Sequence, residues 1–275
     1  MQNDRVEIRP LTRNIGAEIH GVDLREPLDD ETFGVVHGAL LEHLVIFFRD
    51  QEITPEQHVA FGKRFGELHL HPSAPIIDNR PELMKIHADA TSPFAEGTRW
   101  HSDVSSDIEP PMASILHLTQ VPKLGGDTLF ASMYAAYDAL SDTMKNFLAP
   151  LTALNTSDVH VGRYEQVGGG LRRDKHPEAV HPVIRTHPET GRKLIYVNEP
   201  FTQHIVGMNK TESDAILNFL YQHNSNPQFH CRFKWERNSI AMWDNRSTQH
   251  HATWDYFPET RSGIRVTVKG DRPFH

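Results

Sequence analysis

From Phe229 to Trp235 apolar and polar side chains alternate without a break, through His230, Cys231, Arg232, Phe233 and Lys234. That period of two predicts a strand with one buried face. Ile264, Val266 and Val268 alternate with Arg265, Thr267 and Lys269 in the same way. Short apolar runs bounded by polar or turn residues predict further strands at Val45–Phe48, Ser114–Leu118, Thr128–Phe130, Val183–Arg185, Leu194–Val197 and Ser239–Trp243. Helices are few. Thr54-Pro55-Glu56-Gln57 joins an N-cap, a proline at the first helical position and a capping-box glutamine, with Val59, Phe61 and Phe65 behind it. Asp30 is placed to cap a second helix through Val35, Val36, Ala39 and Leu40, and a third starts at Thr211 with Ile216, Leu217, Phe219 and Leu220. Gly168–Gly170 and the basic, polar run to His181 predict a mobile surface loop. Many short strands in the C-terminal two-thirds, with helices gathered near the start, predict a β-dominated α+β fold. Its core is a double-stranded β-helix (jelly-roll) with flanking helices, in one domain over residues 1–275. A doubly wound sheet would need regular strand–helix alternation, which is missing.

Composition narrows the function classes. Lys+Arg is 28 and Asp+Glu is 36, a net charge of −8, which argues against nucleic acid or an anionic membrane as partner. The N-terminus has no apolar signal segment, and the most apolar stretch, Ala39–Phe48, is broken by Glu42 and His43. A single cysteine, Cys231, gives neither an internal disulfide nor a thiolate metal site. A cytoplasmic protein is expected. The outlying count is 19 histidines, which directs the search to metal and acid–base chemistry.

Trp100-His101-Ser102-Asp103 is the first constellation. In an extended segment residues i and i+2 share a face, so His101 and Asp103 can converge on one ion while Ser102 points away. Two ligands do not make a site. A third candidate lies about 150 residues later, in the run ending Gln249-His250-His251. Two imidazoles and one carboxylate form the facial arrangement that leaves positions open on ferrous iron. On chemistry alone His250 and His251 are equivalent. Arg261 and Arg265 follow His250 by 11 and 15 residues, and an arginine on the polar side of a barrel strand can hold a carboxylate bidentately. Gly125-Gly126-Asp127-Thr128 is a turn into a strand that would present the Thr128 hydroxyl inside the barrel.

Taken together, WHSD, GGDT, WDNRxTxH and the paired arginines make the chain resemble the taurine dioxygenase family of iron(II)- and 2-oxoglutarate-dependent oxygenases, over nearly its whole length. The resemblance implies that His101, Asp103 and His250 ligate iron and that Thr128 and Arg261 bind the distal carboxylate of 2-oxoglutarate. It places Arg265 close to the cosubstrate, near the anionic group of the primary substrate, and makes His71, Val104 and Phe201 substrate contacts. The register with the arginines selects His250 over His251. The implied cosubstrates are 2-oxoglutarate and O2, and the products include succinate and carbon dioxide. Hydroxylation beside a sulfonate, sulfate-ester or ether oxygen would give an unstable product that breaks that bond.

Departures from the taurine enzymes bear on substrate. Ala74 stands where they carry a tyrosine and Gly97 where an asparagine would hold the taurine amine, leaving a larger and less polar pocket mouth. The expected substrate is a small anionic organic molecule, first a sulfonate or sulfate ester, alternatively an aryloxyalkanoate or other carboxylate. Outside enzymes, the alternative is a metal-binding barrel that senses or stores a ligand. His69, His117, His181 and His187 are assigned to structure or surface. The expected assembly is a homo-oligomer, a dimer or a tetramer.

Overall fold

A computed structural model describes residues 6–72, 74–157 and 177–275. Its largest sheet has seven strands. From edge to edge they are β1 (Glu7–Pro10), β2 (Ala17–His20), β3 (Val45–Phe48), β13 (Ser239–Asp244), β5 (Ala113–Gln120), β15 (Arg261–Val268) and β4 (Leu83–Ala88). All neighbours are antiparallel except β2 and β3. One three-stranded sheet orders β12 (His230–Phe233), β6 (Thr128–Ser132) and β14 (Thr248–Ala252). Another orders β11 (Thr202–Ile205), β7 (Thr152–Thr156) and β8 (Glu178–Pro182), and β9 (Ile184–Thr186) pairs with β10 (Lys193–Ile195).

The β3 run Val45-Ile46-Phe47-Phe48 is wholly buried because both faces of the large sheet are covered. On one face Ile46, Phe48, Ile115, Ile240 and Met242 pack with residues of the first two helices, α1 (Asp30–His43) and α2 (Pro55–Lys63). On the other, Phe47 stacks on Phe233 of β12 at 3.8 Å between ring centroids and meets Phe130 of β6 edge-on, so the small β12–β6–β14 sheet lies against it. Each such side chain contributes about 1.5–3 kcal/mol when fully buried. The candidate site lies between these two sheets, with residues drawn from β6, β14 and β15.

Helix α2 starts as expected, with both halves of the Thr54–Gln57 capping box made, but ends at Lys63, before Phe65. Asp29, not Asp30, caps α1, its carboxylate accepting from Thr32 N–H. Asn209 caps the late helix, which therefore begins at Lys210 rather than Thr211. Helices are not confined to the start: α3 (Met133–Asp138) and α4 (Asp142–Leu148) follow β6, capped by Ser132 and Ser141, and Lys210–Asn224 is α5. Most of the expected glycine-rich loop lies outside the described residues, but its end is strand β8, not loop.

His69, His117, His181 and His187 are all buried, so none belongs to the surface. Burial, followed by repulsion from His117, holds the His58 imidazole down to about 3, and burial holds His181 down to about 4. Both are neutral in the folded protein and protonate in the unfolded chain near 6.5. Their stabilisation is therefore complete above pH 6.5 and is lost as the pH falls towards the folded values. Between pH 7 and 5 this amounts to roughly 2 kcal/mol for each group. Denaturant titrations at the two pH values should show that drop, and His58→Met should shrink it. An unchanged drop in the variant would refute the role of His58.

Candidate active site

His101 and His250 meet across an isolated antiparallel bridge. His101 N–H donates to His250 O at 3.1 Å and His250 N–H to His101 O at 2.8 Å. The bridge sets the imidazole centroids 4.1 Å apart. His101 Nδ1–H donates to Arg99 O at 2.7 Å, which leaves the Nε2 lone pair facing the cavity. The chain is extended only at His101, and Asp103 already begins a turn. Its carboxylate nevertheless converges, Oδ1 standing 3.8 Å from His101 Nε2 and 4.0 Å from His250 Nε2. Ser102 turns away and donates to Thr248 O.

The Asp103 carboxylate is held from both sides. Ser114 Oγ donates to Oδ2 and Arg265 to Oδ1, each at 2.7 Å, while the Asn245 side chain bonds the Asp103 backbone N–H and C=O. Burial by itself would raise its pKa, but the Arg265 guanidinium, helped by the Ser114 hydrogen bond, outweighs that and holds it well below the usual carboxylate range. Burial keeps both imidazoles neutral, most strongly His250, where His101 adds to it. Two neutral nitrogens and one carboxylate, with ligand atoms all within 4.8 Å of one another, can hold a divalent first-row metal such as ferrous iron. His251 is outside this group, and its ring lies 5.6 Å from that of Trp100.

Arg261, only 4% exposed, leads β15. Its Nε–H donates to Gly126 O at 2.9 Å and its Nη2 to Thr128 Oγ1 at 3.2 Å. Gly125 and Gly126 have φ of +78° and +71°, conformations that glycine adopts without penalty and that aim the Gly126 carbonyl at the guanidinium. Thr128 Oγ1 also accepts from Trp235 Nε1, so its own hydrogen remains to donate. Among the described residues no carboxylate forms an ion pair with Arg261. Burial lowers its pKa to about 10, still charged at neutral pH. A buried cation facing a cavity without a counter-ion is costly unless an anionic ligand supplies one.

Arg265 stands four residues further along β15, bonded to Asp103. His71 Nδ1 accepts from Ala74 N–H at 3.0 Å, so the ring carries its proton on Nε2. Burial, then Arg265, holds its pKa well below the ordinary value, making His71 a neutral donor and not a second cation. His71, Val104 and Phe201 line one cavity with the metal-ligand candidates, Thr128, Arg261 and Arg265. Its open volume, mouth included, is about 1020 Å³. Ala74 packs on Met84 and Ile86, two apolar residues of the cavity wall. Gly97 lies on the wall with φ +77°, and a Cβ there would come within 3.2 Å of His101 Cε1. Sequence reasoning missed Glu96, which also lines the cavity, and the Ser114 and Asn245 partners of Asp103. Of these only Asn245 carried a signal, its place in the WDNR segment.

Among known proteins, an alkylsulfatase of Acinetobacter baylyi is 33% identical over 97% of this chain and 86% of its own length. An alpha-ketoglutarate-dependent sulfate ester dioxygenase of Pseudomonas putida is 32% identical over 98% of this chain and 91% of its own. The crystal structure of a taurine dioxygenase from Burkholderia xenovorans, 38% identical, matches with a TM-score of 0.84 over 98% of this chain and 92% of that one. Residues 7–267 match the family described as taurine catabolism dioxygenase TauD, TfdA family. The chain belongs to that family, and with it to the iron(II)- and 2-oxoglutarate-dependent dioxygenases.

Proposed function

We propose that the protein hydroxylates a small organic sulfonate or sulfate ester at the carbon next to the sulfonate or ester oxygen. The observation that carries this reading is the pair of buried guanidiniums flanking the His101–Asp103–His250 group, one of them without a carboxylate partner among the described residues. In this reading Thr128 and Arg261 hold the distal carboxylate of 2-oxoglutarate. Arg265, beside the cosubstrate, and the Nε2–H of His71 hold the substrate anion. Val104 and Phe201 wall the substrate in. Iron with 2-oxoglutarate and O2 supplies the oxidation when bound: the C–H becomes C–OH while 2-oxoglutarate becomes succinate and carbon dioxide. The chain's residues would hold the two anions beside the His101–Asp103–His250 group and so keep the reacting carbon close to a metal held there. A hydroxylated sulfate ester then collapses to an aldehyde and sulfate. The packing of the seven-stranded sheet against the β12–β6–β14 sheet, with the site between them, supports a jelly-roll core in a single domain.

The apolar stretch of wall formed by Met84 and Ile86, backed by buried Ala74, favours an alkyl chain over an ammonium group. Each methylene buried there contributes about 0.8 kcal/mol. An ammonium that loses hydration without a partner costs about 1–3 kcal/mol or more. Hexyl sulfate and hexanesulfonate should therefore show kcat/KM about tenfold or more above taurine, read as succinate formation with iron(II) and ascorbate. An aryloxyalkanoate in the same panel tests the carboxylate alternative. A tenfold preference for taurine, abolished by Glu96→Gln, would assign the ammonium to the Glu96 carboxylate and defeat this substrate reading.

A further inference from the structure

Residues 102–107 carry Asp103 and Val104 on a turn that several elements pin. Ser102 is bonded to Thr248 O and the Asp103 backbone to Asn245. Ser105 Oγ accepts from Asn198 Nδ2 at 2.9 Å, and Asp107 O accepts from His181 Nε2 at 2.8 Å. Val104 sits at φ +49°, a left-handed conformation that a β-branched residue adopts only when its surroundings impose it. It is buried and faces the cavity.

The remaining pin is of a different kind. His69 Nε2 lies 2.9 Å from Asp107 Oδ2, and both side chains are buried. His69 N–H donates to Thr267 O, two residues beyond Arg265 on β15, and His71 follows two residues later. One buried pair thus ties the turn bearing Val104 to the segment bearing His71. The metal-ligand candidate is held independently, because Asp103 has its own bonds to Asn245 and Ser114.

We infer that His69 is a positioning residue for substrate: its pair with Asp107 fixes the Val104 wall relative to the His71–Arg265 anion site. It thereby governs how much 2-oxoglutarate turnover is coupled to substrate hydroxylation, and leaves metal and cosubstrate affinity alone. The inference rests on the proposed anion-binding role of His71 and Arg265. With hexyl sulfate as probe, His69→Leu should raise its KM about tenfold and leave about half of the succinate without matching sulfate release. The KM for 2-oxoglutarate and the affinity for cobalt(II), followed by its absorption, should stay within about twofold of wild type. His69→Gln, which restores an N–H donor, should recover most of the coupling.

Val104→Gly guards against simple misfolding. It removes the wall directly and relieves the left-handed backbone, so it should uncouple turnover while cobalt affinity stays within about twofold of wild type; fully coupled turnover in this variant would overturn the inference. Wild-type coupling in His69→Leu, or a parallel fall in cobalt affinity, would overturn the inference. If wild-type protein releases sulfate or sulfite from no compound of the panel, the substrate reading fails on its own. Hydrogen exchange at the Ala74 amide, which His71 Nδ1 holds, then decides: faster in His69→Leu supports the tie, and unchanged refutes it.

Discussion

His250→Ala should eliminate iron-dependent succinate formation, a loss on the order of a thousandfold or more, whereas His251→Ala keeps a large share of it. The two residues are neighbours on β14 and side-chain alternation sends them opposite ways. His250 brings Nε2 to 4.0 Å from Asp103 Oδ1, and His251 packs towards Trp100. With His250 gone, one imidazole and one carboxylate remain, too few to fix a facial geometry. Cobalt(II) absorption gives a readout independent of turnover: its ligand-field bands should weaken in His101→Ala, Asp103→Ala and His250→Ala and persist in His251→Ala. Normal cobalt binding by His250→Ala, with loss in His251→Ala, would reverse the ligand assignment.

Arg261→Lys should raise the KM for 2-oxoglutarate roughly 10- to 100-fold, about 1.4–2.8 kcal/mol, with a smaller change in the KM for the primary substrate. Lysine keeps a charge but loses the Nε–H bond to Gly126 O and the planar fork that matches a carboxylate. The same burial that lowers the Arg261 pKa to about 10 acts on a lysine whose ordinary value is already lower, so part of the charge is lost as well. An unchanged constant for 2-oxoglutarate would end this assignment.

What the sequence showed depended on how local the determinant is. The Thr54–Gln57 capping box closes within four residues, so the start of α2 was legible, while Phe65, read as one of its apolar positions, lies beyond its end at Lys63. Asp29 and Asp30 are chemically identical caps, and only the backbone turn at Asp29 separates them. Helices α3 and α4, six and seven residues long, are too short to display a period. Strand β14, Thr248-Gln249-His250-His251-Ala252, has almost no apolar residue because its inward side chains furnish the site, so it reads as loop. His101, Asp103, His250 and the two arginines were visible through motif and spacing. The Ser114 support of Asp103 and the His69–Asp107 pair were not, since each joins segments that only the fold brings together.

The bridge between His101 and His250 also has a kinetic meaning. About 150 residues of chain must be closed before those two backbones can meet, so the pair belongs to the high-contact-order part of the topology, which is slow to form. A metal ion cannot find its three ligands in a partly assembled chain. A metal held by all three would stabilise the native state by mass action, and, if the transition state for folding lacks the His101–His250 bridge, would leave the folding rate largely unchanged. A metal at this site would then act as a brake on unfolding, lengthening the lifetime of the folded state without hastening its arrival.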